Sequence, residues 1–146
     1  MLAALGSARA DEPVTVPFLD RAPEVYATAF MTAVRGYNAI GVSGLMQDVE
    51  TCYENIQANE RVARLQYCFF LHATVRMLEA VVPTKKPKLP SPDVPGDVRE
   101  RVVFMLGQAG FKPAESGVII HAWSVAGQQN LGRDRFTEFK RLTTGK

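Results

Sequence analysis

The 146-residue sequence has no apolar run close to the roughly 20 residues that a membrane-spanning helix requires. The nearest candidate, Tyr67 to Val82, is interrupted by His72, Arg76 and Glu79. The sequence also lacks an excess of charge, with 17 basic residues against 15 acidic ones and a formal net charge of +2. It therefore predicts no membrane span, and no global electrostatic attraction to nucleic acid.

Motifs that bind common cofactors are missing as well. The sequence has no CxxC pair, which argues against a thioredoxin-like redox site and a c-type haem site. It also has no phosphate-binding loop, no dinucleotide fingerprint and no metalloprotease motif. We therefore expect no cofactor, no metal ion and no assembled set of catalytic residues.

The only two cysteines, Cys52 and Cys68, allow reactive and structural arrangements. Cys68 and His72 lie four residues apart, so they could bind a metal ion together with Cys52, or act as a nucleophile and its base. Both reactive arrangements require a free thiol. An even pair of cysteines in a small exported chain instead favours a disulfide, and we predict the bond between Cys52 and Cys68.

Export is indicated by the first ten residues, MLAALGSARA. They end in Ala8-Arg9-Ala10, which places small residues at the two positions that a signal peptidase reads. We interpret residues 1–10 as the remnant of a secretory signal peptide and expect the mature chain to begin near Asp11. Residues 11–146 then form a single domain in the periplasm or outside the cell.

Helical periodicity dominates the rest of the chain, and the sequence predicts an all-α bundle of five or six helices. The longest helical stretch, Glu60 to Val82, is apolar around most of its circumference, so we expect it to be the central helix. Gly41 predicts a stop between the first two helices. Five prolines between 83 and 95 predict a loop. The other predicted helices span residues 23–39, 43–57, 96–108, 113–129 and 134–142.

The predicted disulfide constrains how the chain folds back. Sixteen positions along one straight helix would separate Cys52 from Cys68 by about 24 Å. A disulfide requires α-carbons within roughly 7 Å of each other. The chain must therefore reverse between the two cysteines, and Ala58-Asn59 is the place where the sequence permits a turn.

Two polar groups of residues are candidate binding sites. His72, Arg76 and Glu79 lie four and three residues apart, so they are neighbours on the predicted central helix. We treat this stripe as an exposed candidate site and expect its polar groups to reach solvent or one another, because an unpaired charge inside the core would be strongly disfavoured. The proline-rich loop adds three basic residues, Lys85, Lys86 and Lys88.

Apolar spacing also predicts the inward faces of the shorter helices. In the helix at 96–108, Gly110 is expected to close the end and Phe111 to pack back over it. In the helix at 113–129, five apolar residues are expected to face the core beside Trp123: Val118, Ile119, Ala122, Val125 and Ala126.

The function predicted from these features is binding of another protein, as an exported inhibitor, immunity protein or assembly factor. One alternative is a carrier for an apolar small molecule, held between helices by an aromatic set. That set comprises Tyr26, Phe30, Tyr53, Phe69 and Phe70. A second alternative is a small enzyme of unknown reaction.

Overall fold

The computed structural model of this chain describes residues 14–81, 94–129 and 141, and these residues contain no β-strand. Four α-helices follow one another within the described ranges. Short 3₁₀ turns precede the first two helices, at Leu19–Arg21 and Ala58–Glu60. The helices are α1 at Ala22–Glu54, α2 at Arg61–Val81, α3 at Gly96–Gln108 and α4 at Pro113–Gln128.

The predicted all-α class is confirmed, whereas the predicted number of five or six helices is not. The first two predicted helices form one bent helix, α1, and the helix predicted at 134–142 lies outside the described residues except for residue 141. The predicted signal segment, residues 1–10, and the lysines of the proline-rich loop also lie outside them. No helix in the described ranges is long and apolar enough to cross a bilayer.

Gly41 bends helix α1. Its φ of 70° and ψ of 179° are non-helical, and this positive φ is accessible chiefly to glycine. A Cβ placed at Gly36 would lie only 2.8 Å from Leu45 Cδ2. On a straight helix these residues would be about 13.5 Å apart, so the contact requires a sharp bend. Helical geometry resumes directly after Gly41. The predicted stop is therefore a bend between two segments of one helix.

Helices α1 and α2 form a hairpin that is closed by the predicted disulfide. The chain reverses through the 3₁₀ turn at Ala58–Glu60, the position at which the sequence predicts a turn. The α-carbons of Cys52 and Cys68 are 5.7 Å apart and the two sulfurs are bonded. Both cysteines are buried, so the bond lies inside the hairpin and not on its surface.

Helix α2 contacts each of the other three helices. It packs on α1 along the hairpin and on α3 beside it. The Phe69 ring lies 6.1 Å from the Trp123 ring of α4, measured between ring centroids. Gly127 allows α4 to come close, because a Cβ at this position would meet Phe70 at 2.9 Å and Tyr26 at 3.0 Å.

The link between α3 and α4 is built from local backbone signals. The amide N–H of Phe111 donates to the Leu106 carbonyl and that of Gly110 to the Gly107 carbonyl, which is the glycine-terminated helix end that the sequence predicts. Gly110 has a φ of 102°. Pro113 then begins α4, where its missing N–H costs no helical hydrogen bond.

Candidate functional site

The predicted stripe on α2 does not lie on the surface as a unit. His72 is only 4% exposed, so the expectation that it is exposed is wrong. Its Nδ1 lies 2.9 Å from the hydroxyl of Tyr53, a buried residue of α1. The hydroxyl can donate this hydrogen bond to a neutral imidazole, which satisfies both buried polar groups without a charge.

Arg101 of α3 covers the buried tyrosine from outside. Its guanidinium carbon lies 4.3 Å from the centroid of the Tyr53 ring, within range of a cation–π contact. The same guanidinium donates to both carboxylate oxygens of Glu50, at 2.9 and 3.0 Å. These hydrogen bonds lower the pKa of Glu50. Glu50 and Tyr53 are one turn apart on α1, so a single arginine connects α3 to both.

Arg76 and Glu79, the other two residues of the stripe, are partly exposed and form an ion pair. Arg76 Nε also lies 3.3 Å from the Oδ2 atom of Asp97 on α3, a contact of opposite charges without hydrogen-bond geometry. We define the α2–α3 face as Arg76, Glu79 and Asp97, which are in contact, together with Arg101, one turn from Asp97 on α3. Its role in binding stays a prediction.

The disulfide decides between the arrangements proposed for Cys52 and Cys68. Both sulfurs are used in the bond, so neither can be a metal ligand or a nucleophile while it is intact. The shared metal ion and the thiol–imidazole pair are therefore not supported. His72 instead has Tyr53 as its hydrogen-bond partner.

The five residues of the proposed carrier pocket belong to the packed core. All five are at most 4% exposed. The rings of Tyr26, Phe30, Phe69 and Phe70 form a chain of contacts that reaches Trp123, and the Tyr53 ring contacts His72. Tyr26, for example, lies 5.7 Å from Phe30 and 5.2 Å from Phe70 between ring centroids. Offset and edge-on contacts at these distances are typical of closely packed aromatic cores. A ligand would have to displace these rings to enter between them.

The face that helix α4 turns to the core overlaps the predicted one only in part, since Ile119 is buried and Ala126 packs against the core as predicted. Val118 and Val125, expected to face inward, are 46% and 40% exposed. At 100° per residue, they share with Ala122 a stripe about 60° wide, on the opposite side from the buried residues. The residues that are buried are Ser116, Ile119, Ile120, Trp123, Ser124 and Gly127.

Specific contacts explain this choice of face. Trp123 is fully buried, and its indole N–H donates to the Pro17 carbonyl at 2.8 Å. Gly127 brings the same face of α4 against α1 and α2. Rotating the helix to bury the valines would expose the indole ring of Trp123. It would also move residues larger than glycine into the position that Gly127 occupies against Phe70 and Tyr26.

Ala122 and Val125 of this stripe lie in one wall of an open groove of about 510 Å³. The 3₁₀ turn at Leu19–Arg21 and the start of α1 form the other wall. Leu19, which is 41% exposed, lies in this groove together with Val125. The α1–α4 groove is lined by Leu19, Asp20, Pro23, His121, Ala122, Val125, Ala126 and Gln129.

Two buried side chains hold the 3₁₀ wall of the groove in place. The Gln66 amide donates to the Phe18 carbonyl at 2.9 Å, and Trp123 donates to the carbonyl of the preceding residue. Phe18 has a φ of 57°, in the left-handed region that a non-glycine residue seldom adopts. Such a conformation costs of order 1–3 kcal/mol and persists only where surrounding contacts impose it. Leu19 is therefore positioned beside α4 by the fold and not by local preference.

Sequence reasoning missed Tyr53, Arg101 and Asp97 as partners of the predicted stripe. Glu50 and Arg101 are 51 positions apart, and no local spacing indicates their contact. The exposed face of α4 did have a signal, because valine and alanine repeat at 118, 122 and 125 on the side opposite Trp123. A helix with apolar residues on two opposite faces can bury one face in the core and leave the other exposed to bind a partner.

No protein-family model, no curated protein and no solved structure matches this chain.

Proposed function

We propose that this chain is a small exported protein that binds another protein, of the inhibitor, immunity or assembly-factor type, through the α1–α4 groove. The observation that supports this proposal best is the apolar lining of the groove, in which Leu19 and Val125 are 41% and 40% exposed above a tightly packed core. Contiguous exposed apolar surface rimmed by polar residues is typical of protein-binding sites. The buried disulfide supports export, because such bonds persist in oxidising compartments.

The shape of the groove favours a helix as the segment that docks. The residues of α4 and its C-terminal cap that line the groove run from His121 to Gln129, a length of about 12 Å, or a little over two helical turns. Amphipathic helices bind such grooves with apolar anchors at positions i, i+3 or i+4, and i+7. Among the described residues, Asp20 is the only carboxylate that lines this groove. We therefore expect a partner helix with two or three large apolar side chains and a basic residue that pairs with Asp20.

The proposal is tested with a matched pair of charge substitutions. The partner is first captured from periplasmic extract of the native host with the unmodified protein and identified by mass spectrometry. Val125→Asp places a charge in the groove and should weaken partner binding at least tenfold, equivalent to about 1.4 kcal/mol. Phe104→Asp is the control, because Phe104 is 66% exposed on α3 and does not line the groove. It should bind like the unmodified protein.

Three results would contradict the proposal. Equal binding by the unmodified protein and Val125→Asp would remove the groove from the interface. A loss that occurs only with Phe104→Asp would move the interface to α3. A small apolar molecule that copurifies with the protein, in place of a protein partner, would favour the carrier alternative. Thermal unfolding of both variants checks that the substitutions leave the fold intact.

A further inference from the structure

A buried histidine bonded to a buried tyrosine lies at the point where three helices meet. Tyr53 follows Cys52 directly on α1, and His72 lies one turn beyond Cys68 on α2. The disulfide therefore holds the two partners of the 2.9 Å hydrogen bond in register. Desolvation lowers the pKa of His72 and so favours the neutral imidazole, to whose unprotonated Nδ1 the tyrosine hydroxyl can donate.

The charges that face His72 are already paired with one another. Glu50 on α1 is bound to Arg101 on α3, and Arg76 on α2 is in contact with Asp97 on α3. All four act electrostatically on the imidazole, the two carboxylates favouring its protonation and the two guanidinium groups opposing it. A proton on His72 would therefore add a positive charge that has no carboxylate of its own.

We infer that the His72–Tyr53 pair is an acid-sensitive contact, whose protonation draws Asp97 and Glu50 away from Arg76 and Arg101 and loosens helix α3 from the α1–α2 hairpin. A proton from solvent binds Nδ1, which becomes a donor, and the tyrosine hydroxyl must turn to accept. The imidazolium then competes with the two arginines for their carboxylates. Helix α3 responds because these ion pairs join it to the hairpin, whereas α1 and α2 remain linked by the disulfide.

The pH range follows from burial. Desolvation lowers the pKa of His72 below its ordinary value of about 6.5. The folded state therefore binds this proton less readily than the unfolded state, and its stability falls as the pH drops below about 6.5. The loss is complete once the pH is below the pKa of the folded state. The transition is therefore expected below pH 6.5.

The test is a pH titration of the full chain by NMR, from pH 7.5 to 4.5, that follows both imidazole side chains and the amides of α3. The chain has only two histidines, so His121→Gln assigns the resonances and is a matched control. We expect the His72 midpoint to lie below 6.5 and the amides of Asp97 and Arg101 to shift with that same midpoint. His121→Gln should leave this shared transition unchanged, and His72→Gln should abolish it.

A second variant keeps the proposal testable if His72→Gln does not fold. Tyr53→Phe removes the hydrogen bond that favours neutral His72, so it should raise the midpoint pH of the His72 titration. The chemical shifts of the α3 amides should then change at the same, higher pH. The proposal is overturned if the α3 transition persists in His72→Gln, or if it stays at its original pH in Tyr53→Phe. A His72 midpoint at or above 6.5 in the unmodified protein would also overturn it.

Discussion

The two helices before residue 82 and the two helices after residue 95 are stabilised by different means. The α1–α2 hairpin has a covalent cross-link, a buried hydrogen bond between Tyr53 and His72, and most of the buried aromatic rings. Helices α3 and α4 have no cross-link. Local backbone signals set the end of α3 at Gly110 and the start of α4 at Pro113. The first half is therefore the scaffold to which the second half is attached.

This difference bears on where function resides. Helix α4 presents the exposed Val125 to a groove, and α3 is held to the hairpin partly by ion pairs that solvent reaches. Exposed ion pairs contribute little to stability, so they can rearrange at low cost. Both proposals made above therefore concern the second half: its groove as a docking surface, and its attachment to the hairpin as a pH-sensitive contact.

Removing the disulfide should have the largest effect on stability. Replacing both Cys52 and Cys68 with alanine should lower the free energy of unfolding by about 2–5 kcal/mol, because the bond restricts the unfolded chain. Denaturant unfolding of the variant measures this loss. The unmodified protein under reducing conditions is the control, since it loses the bond but keeps the side chains. A loss below about 1 kcal/mol would show that aromatic packing alone suffices to hold the hairpin.

A pair of glycine substitutions tests how closely α4 packs on the hairpin. Gly127→Ala should lower the free energy of unfolding by about 1–3 kcal/mol, because its Cβ would meet Phe70 and Tyr26 at 3.0 Å or less. Gly107→Ala on α3 is the matched control. No side chain lies within 4 Å of its Cβ position, so alanine should stabilise this helix by up to about 1 kcal/mol. Equal stabilisation by both substitutions would refute the close contact.

The features predicted correctly from sequence are those with local causes. The bounds of α3 and the start of α4 follow from glycine and proline signals within a few residues of each boundary. The disulfide and the reversal between its cysteines follow from a distance limit that a straight helix cannot meet. These predictions need no knowledge of which helices are neighbours.

The features that were missed depend on neighbours distant in sequence. The burial of His72 depends on Tyr53, which lies 19 positions away on another helix. The orientation of α4 depends on a hydrogen bond from Trp123 to Pro17, across 106 positions. Because both faces of α4 carry apolar residues, periodicity alone could not select the buried one. The same ambiguity concealed the exposed stripe that now supports the binding proposal.

The smallest change in stability is expected for Arg76→Ala, which tests the α2–α3 face against the groove. The side chains of Arg76 and Glu79 are 34% and 44% exposed, and ion pairs of this kind contribute about 0–1 kcal/mol. Thermal unfolding should therefore change little. Partner affinity is then compared with that of Val125→Asp, which alters the groove.

The prediction made from sequence is that Arg76→Ala weakens partner binding by more than about 1 kcal/mol, because arginine is frequent among the residues that dominate binding energy. Arg76→Lys is the control, since it keeps the charge but loses the planar donor group. A loss of affinity with Arg76→Ala, but none with Val125→Asp, would place the partner on the α2–α3 face. A large loss of stability with unchanged affinity would instead show that Arg76 serves to join α2 to α3.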